Sequence, residues 1–235
     1  VTARTVALAA ALLTALPGPL NAEADKYDIY AVRFATVAGR PAVFWVLKGA
    51  DGRVALVDSG FGTNRARRAG VRDYVSPAAA IGPLGLRPPD VTDIFLTRLD
   101  ADRAGGLDLF PQARVWVQRR EFDYAVGDAW AEPSLHRDIA AADVLALVRR
   151  NIAGLLTLVR GDDDVSISGI ELHVGRDRRP GGSQYLVVQS RTGRFVLAAD
   201  RADVAAEMPA VVVEDDPAAF TAFERVADRI VRVGP

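Results

Sequence analysis

Cysteine is absent from all 235 residues, and only two histidines occur, His136 and His173. The first absence excludes disulfide frameworks, thiolate zinc sites, iron–sulfur clusters and cysteine nucleophiles. The second leaves little imidazole for any metal centre. Lysine is nearly missing as well, with Lys26 and Lys48 the only two, so arginine carries the positive charge. Guanidinium binds oxyanions bidentately, but these arginines are scattered and matched by acids. The 29 basic residues face 30 acidic ones, for a formal net charge of −1. That balance argues against nucleic-acid binding through bulk electrostatics. No apolar run reaches the roughly eighteen residues that a membrane-spanning helix needs. What remains is an ordinary globular composition, half hydrophobic and a quarter charged, long enough for a substantial core.

The first residues read as an address. Arg4 precedes an apolar run from Val6 to Leu16, followed by Pro17, Gly18 and Pro19 and then by Ala22-Glu23-Ala24. Basic start, apolar middle and small-x-small end form the pattern of a secretory signal peptide over residues 1–24. The expectation is a mature domain over residues 25–235, starting near Asp25 and located in a periplasm or secreted.

Beyond it, strands and helices alternate in two halves. Tyr27–Phe34, Ala42–Leu47 and Val54–Asp58 are β-rich, with the turn sequence Ala50-Asp51-Gly52-Arg53 between the last two. Ser76-Pro77 opens a helix to Ile81. Val91–Leu96 and Arg114–Gln118 are short strands, and a helix follows over Glu121–Val126. Apolar spacing predicts an amphipathic helix over Ile139–Ile152. Strands are expected at Leu155–Val159, Val165–Ile167, Ile170–Val174, Tyr185–Gln189, Phe195–Ala198, Ala210–Val213 and Ile230–Val233. A helix is expected from Pro217 to about Asp228. Strands followed by helices, twice over, imply two β-sheets packed face to face with helices outside.

The segment Asp93-Ile94-Phe95-Leu96-Thr97-Arg98-Leu99-Asp100-Ala101-Asp102-Arg103-Ala104-Gly105-Gly106 is a strand running into a charged loop and paired glycines. It resembles the signature of the metallo-β-lactamase superfamily, where a strand ends in His-x-His-x-Asp-His before small residues. Val57-Asp58-Ser59-Gly60 is similar to that family's Asp-containing turn. Leu109 to Gln118, followed by Glu121 and Tyr124, resembles the exported branch similar to N-acyl-homoserine lactonases. Gly175-Arg176, Ser183-Gln184-Tyr185, Ala198-Ala199-Asp200 and Asp216-Pro217-Ala218 resemble its later loops. The resemblance implies an α+β fold, a four-layer αββα sandwich, and metal-dependent hydrolysis of lactones or small esters.

The same resemblance implies a two-metal centre of five histidines, one motif aspartate and one bridging aspartate. Carried over residue by residue, Arg98, Asp100 and Arg103 stand at three of the histidine positions. Asp102 keeps the motif carboxylate and Asp200 the bridging one. The downstream histidine falls within Asp177-Arg178-Arg179, and the last at Asp215. Guanidinium offers no lone pair to a metal, and zinc favours imidazole or thiolate donors.

Three readings fit the altered pocket. Arg98 and Arg103 pair with Asp58, Asp100, Asp102, Asp200 or Asp215, and the ion pairs replace the metals. Alternatively, Asp100, Asp102, Asp177, Asp200 and Asp215 gather a hard ion such as Mg²⁺, Mn²⁺ or Ca²⁺, or residual Zn²⁺. In the third, Arg98 and Arg103 bind a small anionic ligand or an ester carbonyl. The favoured expectation is no cofactor and a non-catalytic or small-molecule-binding paralogue. A hydrolase of lactones or small esters with a carboxylate-bound metal is the alternative. His136 and His173 lack a partner motif, and no Gly-x-Ser-x-Gly elbow supports a serine hydrolase.

Overall fold

A computed structural model describes residues 26–68, 70–162, 167–176, 181–204, 211–213 and 224–233. Residues 1–25, where the sequence suggests a leader, residues 163–166, Asp177, Arg178, Arg179 and Asp215 lie outside them. In chain order the strands are β1 (Tyr27–Val37), β2 (Arg40–Gly49), β3 (Val54–Val57), β4 (Val71–Arg72), β5 (Asp93–Phe95), β6 (Arg114–Gln118), β7 (Leu156–Val159), β8 (Ile170–Val174), β9 (Gln184–Ser190), β10 (Gly193–Ala198), β11 (Val211–Val213), β12 (Glu224–Ala227) and β13 (Ile230–Val233). The helices are α1 (Thr63–Ala66), α2 (Pro77–Ala80), α3 (Ala101–Ala104), α4 (Arg119–Val126) and α5 (Ala141–Ile152).

The period-two alternation of the early strands divides them between two cores. On β2, Val43, Trp45 and Leu47 enter one cluster, while Ala42, Phe44 and Val46 enter another. Strand β3 divides in the same way, with Ala55 and Val57 against Val54 and Leu56. A strand buried on both faces belongs to an inner layer. The first cluster is completed by Ile170 and Leu172 of β8, Leu186 and Val188 of β9, and Phe195 and Leu197 of β10, so it is the seam between two sheets. The second is completed by Ile81 beside α2, Phe122 of α4, and Val144 and Leu147 of α5, so it joins sheet to helices. This is the expected α+β sandwich, with helices layered on packed sheets.

One sheet runs β1-β2-β3-β5-β6-β7, antiparallel from β1 to β3 and parallel from β3 to β7. The other holds β8, β9, β10 and β11, and meets the first where Tyr27 pairs with Ser190. Parallel pairing brings the C-terminal ends of β3, β5 and β6 to one edge, the place where α/β sheets carry ligands. Among the described residues, no helix is long and apolar enough to cross a membrane.

The expected helix from Pro217 to about Asp228 is corrected where it can be followed. Residues 217–223 lie outside the described part, and Glu224–Ala227 form strand β12. Glu224 pairs with Arg232 and Arg225 with Val231 across a tight turn at Asp228-Arg229. Cross-strand pairing with β13 outweighs the helix propensity of Glu224 to Ala227 there. The expected strand Val165–Ile167 is described only at Ile167, which forms an isolated bridge to Ile170.

Candidate functional site at the ends of the parallel strands

Strand β5 ends at Phe95, and the chain then runs through Leu96 to Asp100 before turning into α3. Backbone and side-chain bonds from three other elements hold this loop. Asp58, just past β3, sits in the left-handed region at φ 63°, a conformation that aspartate tolerates better than most residues. From there its carboxylate accepts the Thr97 N–H at 2.8 Å and the Thr97 hydroxyl at 2.7 Å. Glu121 of α4 accepts the Leu99 N–H at 2.7 Å. From β9, the Gln184 side-chain amide donates to Leu96 O at 2.7 Å, and its N–H donates to Thr97 O at 2.9 Å.

Glycine completes the cradle. A Cβ on Gly106 would stand 2.1 Å from Ser59 O, and one on Gly105 2.5 Å from Ala101 O. The loop therefore packs against the Asp58 turn at backbone distance, and Ser59 donates both its N–H and its hydroxyl to Arg103 O at 2.7 Å.

Within this frame the positions singled out in the sequence form a charge network. Arg103 reaches Asp100 Oδ2 through Nη1 at 3.0 Å and Asp58 Oδ2 through Nε at 3.5 Å. Its Nη2 donates to Ala199 O at 3.4 Å, next to Asp200. Arg98 Nε lies 3.4 Å from the same Asp100 oxygen. Asp100 opens α3 but gives no side-chain bond to the helix N-terminus; its carboxylate serves the two guanidiniums instead. Arg98 and Asp58 are buried, and Asp100 and Arg103 are nearly so.

Burial pushes the Asp58 carboxyl up to about 6, against the pull of Arg103, the two Thr97 bonds and Arg98. Asp58 is thus a costly buried anion that depends on Arg103 for its charge.

Asp102 has a different partner. It takes a two-pronged bond from Arg65 of α1, through Nε to Oδ1 and through Nη2 to Oδ2 at 2.7 Å. Asp200 is exposed, and its Oδ1 accepts the Ala202 N–H at 2.9 Å. Asp177 and Asp215 lie outside the described residues. The structure therefore brings Arg98, Asp100 and Arg103 together with Asp58, sets Asp102 in the same cavity but paired with Arg65, and gives Asp200 the Ala202 N–H as its partner. Among the described residues, no three His, Asp or Glu side chains gather into a group that could hold a metal.

At the described positions the donor set does not fit a zinc pair. Positions 98 and 103 carry guanidiniums without a lone pair, and Asp100 and Asp102 each already face a guanidinium. Two arginines would also repel a dication at short range.

Three contributors escaped the sequence reading as site residues. Glu121 and Gln184 act on the loop from other strands and helices, and Arg65 lies 37 positions from its partner Asp102. The family resemblance marks the segments of Glu121 and Gln184 but not their bonds to the loop, and no local pattern marks Arg65. His136 lines the cavity above the loop with Arg65, Arg98, Asp100, Asp102 and Arg103, a space of about 660 Å³. His173 lies elsewhere, stacked on Tyr185 at 5.1 Å and 3.3 Å from Glu171.

Sheets layered with helices and a site loop at the ends of parallel strands define a layered α+β sandwich. The family model of the metallo-beta-lactamase superfamily matches residues 38–200, and the chain belongs to that superfamily. No curated protein matches it. Among solved structures it is similar to a probable metal-dependent hydrolase from Staphylococcus aureus, at 16% identity and TM-score 0.59 over 74% of this chain and 73% of that one. AiiA of B. thuringiensis, in a variant with N-decanoyl-L-homoserine bound at its active site, matches at 17% identity and TM-score 0.57, over 74% of each chain. An N-acyl homoserine lactone hydrolase with its product at a catalytic metal centre matches at 17% identity and TM-score 0.56, again over 74% of each. At such identities the likeness is one of fold.

Proposed function

We propose that this protein is a non-hydrolytic member of the superfamily, with arginine–aspartate pairs in place of metals and its cleft kept for binding a small molecule. One observation carries the reading. Asp100 stands between Arg98 and Arg103, and Arg103 in turn reaches the buried Asp58, so charges that a metal would compensate are compensated by guanidinium. The network closes electrostatically on itself, as buried charge requires.

Such a centre lacks a metal-bound hydroxide, the nucleophile that a metal hydrolase generates near neutral pH. The loop is nevertheless rigidly held, and the cavity above it is open. Binding without turnover follows from that combination. Export to a periplasm or beyond is part of the same proposal and rests on the leader pattern alone. The carboxylate-metal alternative has less support, because Asp100 and Asp102 are each engaged by arginine and Asp200 accepts the Ala202 N–H.

The experiment is an N-acyl homoserine lactone hydrolysis assay of the purified chain, with and without added zinc, manganese or magnesium. The expected result is no ring opening above the buffer rate in any condition. Metal-dependent turnover overturns the proposal.

A further inference from the structure

The cavity above the site loop holds charge that the inner network does not consume. Arg98 and Arg103 are set against Asp58 and Asp100, and Arg65 against Asp102. Arg68 and Arg137 line the same cavity, and neither side chain has a hydrogen bond or ion pair with any described residue. Asp138 is the remaining acid of the lining. With the buried Asp58 beneath the lining counted beside Asp100, Asp102 and Asp138, the five arginines face four aspartates, an excess of one positive charge.

His136 adds a second feature. Its Nδ1 lies 2.8 Å from Ala129 O, and a carbonyl only accepts, so Nδ1 carries the proton. Its ring lies against Trp130, tilted by 32°, with centroids 4.4 Å apart. Both contacts fix the ring and leave Nε2 as a lone-pair acceptor with no partner among the described residues. This is how a structure orients an imidazole for a ligand. The His136 segment is also tied to the site loop, through the Ala101 N–H on Asp138 O at 2.8 Å.

Building on the binding role proposed above, we propose that this cavity takes a small monocarboxylate that also bears a hydroxyl or amine. Arg137 and Arg68 hold the carboxylate, and His136 Nε2 accepts the hydroxyl or amine proton. One excess positive charge matches one carboxylate. A lone-pair acceptor beside it discriminates a ligand with a donor from one without.

The test is an NMR titration of the full chain with 4-hydroxybutanoate, butanoate and the uncharged 4-hydroxybutanamide. The hydroxy acid is expected to bind about five-fold tighter than butanoate, one hydrogen bond's worth, and at least about ten-fold tighter than the amide. Arg137→Gln is expected to weaken both acids by about ten-fold. His136→Asn keeps a donor for Ala129 O and loses Nε2, so the preference for the hydroxy acid disappears; His136→Gln keeps an acceptor and retains part of it. The inference is overturned if the amide binds as well as the acid, if Arg137→Gln changes nothing, or if no probe binds. A metal-free, inactive chain that binds none of the three overturns this inference alone. Metal-dependent lactone opening instead overturns the function on which it rests.

Discussion

Replacing Arg103 by Met removes the cation that joins Asp58 to Asp100 while keeping much of the side-chain volume. At 3.5 Å from Asp58 and 3.0 Å from Asp100, each attraction is about 5 kcal/mol at an effective dielectric constant near 20. Most of that offsets the cost of burying the charges, so the pair adds little net stability. Breaking it is another matter, because a carboxylate is stranded in the interior, at a cost of about 3–5 kcal/mol. The loss depends on pH. With its carboxyl already pushed up to about 6, Asp58 is mostly protonated at pH 5 and has little charge left to strand. Urea unfolding should show Arg103→Met costing about 4 kcal/mol at pH 7 and about 1 kcal/mol less at pH 5. In an Asp58→Asn background the cost at pH 7 should also fall by about 2 kcal/mol, the coupling expected of residues in one network. An equal loss at both pH values, unchanged by Asp58→Asn, refutes the reasoning.

Other outcomes follow from the same geometry. Gly106→Ala drives a Cβ into Ser59 O and is expected to cost at least about 3 kcal/mol or to prevent soluble expression, whereas Gly82→Ala, with open space around it, stays within about 0.5 kcal/mol by thermal unfolding. Because the folded chain raises the Asp58 carboxyl from 3.8 to about 6, it binds a proton more tightly than the unfolded chain. This contribution is full below pH 3.8 and is lost as pH rises toward 6, with a slope of at most about 1.4 kcal/mol per pH unit. Asp143, raised to about 6 chiefly by burial and then by Asp108, acts in the same direction; the urea profile of Asp58→Asn should be correspondingly shallower between pH 4 and 6. Restoring histidine at Arg98, Asp100, Arg103, Asp177 and Asp215 should confer zinc uptake, measured by elemental analysis, because the cradle of the loop depends on none of those side chains.

How far the sequence reveals this molecule depends on the range of each interaction. Continuous apolar runs such as Ala42–Leu47 give β2 directly, because burial on two faces leaves its mark residue by residue. Strand β6 and strand β13 match the expected Arg114–Gln118 and Ile230–Val233 for the same reason. Strand β12 is not legible, because it exists by pairing with β13 and its own composition favours a helix. The loop from Thr97 to Gly106 announces itself through its two glycines and its charges, and the pairing of Arg98 and Arg103 with Asp58 and Asp100 follows from the need to match buried charge. The pairing of Asp102 with Arg65 does not. Either arginine of the loop was an equally good partner on paper, and only the placement of α1 beside α3 decides. The role of Glu121 is hidden likewise, since a carboxylate 22 residues away receives the Leu99 N–H. His136 reads as an ordinary loop residue until the fold carries it to the wall of the cavity.

Metal stoichiometry tests the central claim most directly. The chain would be produced in zinc-supplemented medium, dialysed against metal-free buffer and measured by elemental mass spectrometry alongside its natively folded mass. If guanidinium has taken the place of metal, fewer than about one zinc per ten chains remains bound. One or two zinc ions per folded chain would contradict it.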